Sequence, residues 1–154
     1  KLRTASPTIK RNLKTYLSEY RMINDSIKIK DAFVINIGIN FEIVVLPNYN
    51  SNEVLSGCIR RLQEYFNVEN MQINKPILIN ELYTILSTCD SVKGVQNIKS
   101  IEIVNKVGES LGYSKYAYDV IGATQSGVVY PSQDPSIFEV KFPNTDIKGR
   151  VVPL

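Results

Sequence analysis

Between Asp31 and Asn50 the sequence reads DAFVINIGINFEIVVLPNYN. Every odd position from Phe33 to Val45 is apolar: Phe33, Ile35, Ile37, Ile39, Phe41, Ile43 and Val45. The even positions run Val34, Asn36, Gly38, Asn40 and Glu42 before Val44 and Leu46 turn apolar. A period of two sustained over that length marks a half-buried β-strand. Ile27 and Ile29 carry the alternation backwards across Asp31. A single strand from Ile27 to Leu46 would be about 65 Å long at about 3.3 Å per residue, which is rare in a small domain. The spacing therefore predicts a break near Asp31, a strand from Phe33 to Leu46 ended by Pro47, and a bend or bulge near Gly38. Phe33 and Phe41 fall on the expected core side. The polar side around Asn36, Gly38 and Asn40 is either solvated or covered by the C-terminal segment or a neighbour.

Helical signals flank this strand. Ser6 is an N-cap candidate with Pro7 behind it. Ile9, Leu13, Tyr16, Leu17 and Tyr20 then fall on one face, with Lys10, Arg11, Lys14 and Ser18 opposite. The run Asn24 to Ser26 breaks that helix. Asn50 and Glu53 form a capping-box pattern before a stripe of Val54, Leu55, Cys58, Ile59, Leu62, Tyr65 and Phe66. Arg60, Arg61 and Glu64 point outward. Pro76 holds Lys75 extended. Asn80 reads as the next N-cap, ahead of Leu82, Ile85, Leu86 and Cys89, and Gly94 follows as the stop. VQNIKSIEIVNKV reads as a strand with Ile101 and Ile103 on one face. From Gly108 the chain loses periodicity for about 20 residues, unusual for a plain connector. SIFEVKFP then alternates Ile137, Glu139 and Lys141 against Phe138, Val140 and Phe142. PNTDIKG is turn chemistry, and IKGRVVPL forms a last strand.

The fold class predicted is α+β: a small mixed sheet with two helices on one face, an N-terminal amphipathic helix and a C-terminal irregular/β extension. Residues 1–25 make the helix and linker, 26–107 the core, and 108–154 a loop-rich extension packed on the same domain.

The chain has 154 residues, a hydrophobic fraction of 44% and a charged fraction of 21%, which suit a globular domain with a real core. It opens at Lys1 with no initiator Met, and this reading takes it as part of a longer protein. No apolar run reaches the roughly 20 residues of a membrane helix. The net charge of +3 is too small to argue for nucleic acid. The basic excess gathers at Lys1, Arg3, Lys10, Arg11, Lys14 and Arg21, either as a solvated helix face or as a docking face for an acidic partner.

With no histidine and two cysteines, Cys58 and Cys89, zinc sites and histidine-activated nucleophiles lack their ligands and base. Both cysteines sit in apolar helical stripes and are expected as reduced, buried thiols; their spacing does not support a disulfide. The carboxylates with any claim to acid–base work are Glu42, Asp90, Asp119 and Asp134, and none has a partner visible in the sequence. GATQSG has two glycines but no following helix, so it reads as a surface loop. An RNA-binding sheet would need exposed aromatics among basic residues, and the 95–107 strand has no aromatic. Tyr113, Tyr116, Tyr118 and Tyr130 gather in the irregular C-terminal part. They serve either as interface area or as local cover for the sheet edge.

Three long phrases carry a resemblance: NLKTYLSEYRMINDSIKIKDAFVINIGINFEIVVLPNYN, INKPILINELYTILSTCDSVKGVQNIKSIEIVNK and GVVYPSQDPSIFEVKFPNTDIKGRVV. From about Ser6 to Leu154 the chain resembles the C-terminal part of the large baseplate wedge subunit of T-even-like contractile-tailed bacteriophages. That subunit is itself related to the baseplate J proteins of other contractile tails. The resemblance implies a structural virion protein, assembled in the host cytoplasm, with no cofactor, no membrane and no nucleic-acid partner. It implies self-association, as a dimer or ring, and binding to other wedge proteins around the central hub, in a ring that changes shape on contraction. The family offers no catalytic residues to carry over. The surfaces expected to serve assembly are Tyr113, Tyr116, Tyr118 and Tyr130, and the basic face Lys10, Arg11 and Lys14. A nucleic-acid-binding α+β module and a small enzyme are the alternatives.

Overall fold

The computed structural model describes residues 2–18, 29–88 and 94–153. The expected helix break at Asn24 to Ser26, Ile27, and the expected placements of Arg21, Cys89 and Asp90 lie outside the described residues. The elements are α1 (Pro7–Ser18), β1 (Phe33–Val45), α2 (Ser51–Tyr65), β2 (Ile77–Leu78), α3 (Ile79–Thr88), β3 (Val95–Asn105), β4 (Thr124–Gln125), β5 (Val128–Val129), β6 (Ser136–Glu139), the single turn α4 (Pro143–Asp146) and β7 (Ile147–Val151). Single 3-10 turns fall at Val68–Asn70 and Glu109–Leu111.

β1 is the spine of the sheet. β3 runs antiparallel along one edge, from Ile37 opposite Asn105 to Val45 opposite Val95. The other edge is shared by two parallel strands: β6 against Phe33 to Asn36, and β7 against Ile39 to Ile43. Between them the chain leaves the ladder at Val140 and returns after α4. A second, three-stranded sheet has the order β2-β5-β4. The fold is the small α+β arrangement expected, with α2 over β7 and α3 over β3 on one face.

The alternation of β1 decides which face that is. Ile35, Ile37, Ile39, Phe41 and Ile43 are all buried, and they meet Val54, Cys58 and Leu62 from α2, Phe66 at its C-terminal cap, and Leu82 and Leu86 from α3. Burying each large side chain contributes about 1.5–3 kcal/mol. The local signals hold α2 in place. Asn50 Oδ1 accepts from the backbone N–H of Asn52 at 3.0 Å and of Glu53 at 3.4 Å. Ser6 Oγ accepts from Ile9 N–H at 3.2 Å at the start of α1.

Several expectations are corrected. Phe33 is not core: it is 46% exposed, because it lies beyond the reach of the two helices. Its ring stacks instead on Tyr116, with centroids 4.7 Å apart. The irregularities in the ladder do not fall at Gly38. They lie between Glu42 and Ile43 and between Val44 and Val45, where β3 has the extra residues Lys99 and Gln96. At Gly38 the space for a side chain is taken: a Cβ there would sit 2.8 Å from Lys106 Cε and 3.0 Å from the Asp146 carbonyl oxygen. α3 starts at Ile79, so Asn80 lies in its first turn and is not its N-cap. GATQSG is not a plain loop. Ser126 (φ 52°) and Gly127 (φ 79°) form the two-residue turn of the β4–β5 hairpin. β6 does not alternate in burial. All of Ser136 to Val140 is buried, because the segment Leu2 to Thr4 lies against Ile137 and Glu139 on the face away from the helices.

Candidate interaction surfaces

α1 presents the basic face anticipated and more. None of its residues is buried. Its apolar stripe faces outward, with Ile9 59% and Tyr16 58% exposed and Leu13 and Leu17 exposed beside them. Among the basic residues, Lys10 Nζ reaches Asp31 Oδ2 at 2.8 Å, which ties the helix to the start of β1. Arg11 and Lys14 are exposed. No acidic residue occurs between Pro7 and Ser18. The helix therefore offers an apolar stripe edged by positive charge only. The stripe was legible in the sequence; its exposure was not, because period alone does not say whether another element covers a face.

The C-terminal tyrosines are placed very differently from one another. Tyr113 donates to Asp146 Oδ1 at 2.6 Å and packs edge-on against Phe142. That carboxylate holds the phenol pKa up at about 12, with burial adding to the effect. Tyr116 stacks on Phe33. Tyr118 donates to the Tyr130 carbonyl at 2.6 Å, and its ring leans on Phe138. Burial pushes its pKa up, and nearby Tyr116 and Asp119 push the same way. Tyr130 has an exposed ring. Tyr113, Tyr116 and Tyr118 are thus half-buried and bonded within the fold, while Tyr130 is the exposed member of the group.

Beneath them lies a buried polar network that the sequence reading did not single out. Asn36, Glu139 and Asp146 are at most 3% exposed. Asn36 Nδ2 donates to Glu139 Oε1 at 2.9 Å, and Leu2 N–H donates to Glu139 Oε2 at 2.6 Å. Asn36 Oδ1 accepts from Ser114 N–H at 2.6 Å. Asn105 Nδ2 donates to the Asn36 carbonyl while its Oδ1 accepts from Tyr118 N–H. Phe142 N–H donates to Asp146 Oδ2. Each carboxylate thus takes bonds from neutral donors, which is how a buried carboxylate is made tolerable in a fold. Asn36 and Phe33 lie on opposite faces of β1. The segment from Ser114 to Tyr116 therefore passes from one face of the sheet to the other. The polar face of β1 is covered at Asn36 and open at Asn40, which is exposed.

The other carboxylates have local work. Glu42 pairs with Arg150 across β1 and β7. Asp119 Oδ1 accepts from Gly122 N–H at 3.0 Å. Asp134 sits in the exposed turn before β6. No group of three or more His, Cys, Asp or Glu able to hold a metal occurs among the described residues. Cys58 is a free, fully buried thiol, and burial raises its pKa to about 11. No described helix is long and apolar enough to cross a membrane. A cleft of ≈ 310 Å³ lies between Leu2, Arg3 and Thr4 and the start of β1 at Val34, with Ile73 and Ile137 as its further walls.

Neither protein-family models nor curated proteins give a match to this sequence.

Proposed function

We propose that the chain is a structural component of a contractile-tail baseplate wedge. In this reading it associates with itself and binds other wedge proteins to form the ring around the central hub, and that ring rearranges when the tail contracts. The long phrases quoted above are the origin of the reading. The observation that carries it is the outward-facing stripe of α1. Four large apolar side chains, Ile9, Leu13, Tyr16 and Leu17, stand exposed on one helix edged by Arg11 and Lys14. An amphipathic helix of this kind docks into an apolar groove of another protein, and the charges favour an acidic rim on that groove. The buried carboxylates, Glu139 and Asp146, take bonds from Leu2 in the N-terminal segment and from Tyr113 in the loop after β3, which suits a scaffold.

The test is binding of the purified chain to the other wedge proteins of the same tail. Ile9→Asp with Leu13→Asp should abolish or strongly weaken that binding and leave thermal stability unchanged, because both side chains are exposed. Wild-type binding that the double variant retains in full would remove α1 from the account.

A further inference from the structure

α1 is anchored through the segment that precedes it. None of its own residues is buried. Ser6 caps it: Ser6 Oγ accepts from Ile9 N–H, and the Ser6 carbonyl accepts from Lys10 N–H. A single residue, Ala5, separates that cap from Leu2 to Thr4, which wall the cleft over Val34 and Ile137. Leu2 N–H donates to Glu139 Oε2 at 2.6 Å, and Glu139 is 2% exposed. Lys10 adds its pair with Asp31, which lines the same cleft. Strap and helix thus form one piece, and the strap is seated on a buried carboxylate.

Behind Glu139 the bonds continue. Asn36 Nδ2 donates to Glu139 Oε1, and Asn36 Oδ1 accepts from Ser114 N–H. The two neighbours fix the amide, because a carboxylate calls for its NH2 end and an N–H for its oxygen. Asn36 cannot turn over without giving up both bonds. Its carbonyl accepts from Asn105 Nδ2, and Asn105 Oδ1 accepts from Tyr118 N–H. The Tyr118 hydroxyl then donates to the Tyr130 carbonyl. An unbroken series of bonds runs from the strap to the exposed Tyr130.

We propose that this series couples α1 to the segment from Ser114 to Tyr118, so that the two move as one conformational unit. Two arrangements of the strap make the coupling discrete. Seated, it completes the shell of Glu139. Lifted, it takes the Leu2 donor away, and a carboxylate does not stay dry with that oxygen unpaired. Glu139 then turns to water entering the cleft and releases Asn36, and Ser114 and Tyr118 lose the acceptors that Asn36 holds in place. A partner that pulls on α1 is thereby felt near Tyr130, on a separate exposed part of the surface. The inference rests on the proposed assembly role for its biological sense, while its geometry stands on the bonds alone.

Amide hydrogen exchange of the purified full chain, read by NMR, tests it with no partner present. Leu2→Pro removes the donor and leaves every buried side chain intact. Glu139→Gln keeps the shape but gives the carboxyl group only one acceptor oxygen for two donors. In each variant the Ser114 and Tyr118 amides should exchange about tenfold faster or more. Phe66 N–H, bonded to the Leu62 carbonyl at the end of α2, should keep its wild-type rate. The double variant should exchange no faster at Ser114 than Glu139→Gln alone, because both changes break one bond. If Glu139→Gln does not fold, Leu2→Pro alone decides. Faster exchange confined to residues 2–18 in Leu2→Pro overturns the proposal, since the strap then moves by itself. Exchange that quickens equally at Phe66 overturns it too, since the loss is then general. Either failure leaves the assembly role standing, which the α1 double variant tests separately.

Discussion

The ring of Phe41 lies over Gly149, its partner on β7, in the space that any side chain at position 149 would take. A Cβ at Gly149 would meet that ring, and would also stand 2.7 Å from Leu55 Cδ1 on α2. The missing side chain on one strand thus makes room for the aromatic on the next, and the helix closes over both. Phe41→Ala should cost about 3–5 kcal/mol in denaturant melts. Gly149→Ala should cost about 1–3 kcal/mol by overpacking. In the Phe41→Ala background the cost of Gly149→Ala should fall by more than about 1 kcal/mol, because the two share one space. Strictly additive losses would show that the ring and the glycine do not compete.

Tyr113 and Tyr130 should respond in opposite ways. Removing the Tyr113 hydroxyl takes a donor from the buried Asp146 carboxylate. Tyr113→Phe should therefore cost about 1–3 kcal/mol. Tyr130→Ala removes an exposed ring, and its stability should stay within about 0.5 kcal/mol of wild type. Truncating Tyr113, Tyr116 and Tyr118 together should lower the thermal midpoint markedly, since all three bond or stack within the fold. If the triple variant melts like the wild type, these tyrosines are not internal cover.

Much of the architecture was readable because it is periodic. β1 declared itself by a period of two, and α2 by a cap at Asn50 and a stripe from Val54 to Phe66. What escaped has no period. β4 and β5 are two residues each, and their turn uses Ser126, a non-glycine, at positive φ. Phe33 shares the parity of Phe41, yet parity gives only the face of a strand and not how far its cover extends. The Asn36–Glu139 bond joins positions 103 residues apart, and nothing local marks either as buried. The assembly surfaces were named from residue type. The structure separates Tyr130 and the Arg11 and Lys14 face, which are exposed, from Tyr113, Tyr116 and Tyr118, which are engaged.

Cys58 gives a pH dependence with a definite sign. Burial raises its pKa from the ordinary 9.0 to about 11, so the folded protein favours the neutral thiol more than the unfolded chain does. Its stabilising share is complete below about 9 and is lost as the pH climbs toward about 11. Tyr113 adds a loss of the same sign from about 10 to about 12. Urea midpoints should therefore fall between pH 8 and pH 10.5, and fall less in Cys58→Ala. Native Cys58 should also react slowly with a thiol reagent at pH 8, because little thiolate forms and the sulfur is covered. Labelling as fast as in the unfolded chain would contradict its burial.

The central claim is that this chain works by assembly. The most direct measurement is the solution mass, by light scattering after gel filtration, of the purified chain alone and mixed with the wedge proteins of the contractile tail to which the proposed function assigns it. The account predicts that the mixture elutes as one larger species containing this chain in fixed ratio, and that Ile9→Asp with Leu13→Asp drops out of it while remaining folded. A chain that elutes apart from every wedge protein, at the mass it shows alone, would contradict it.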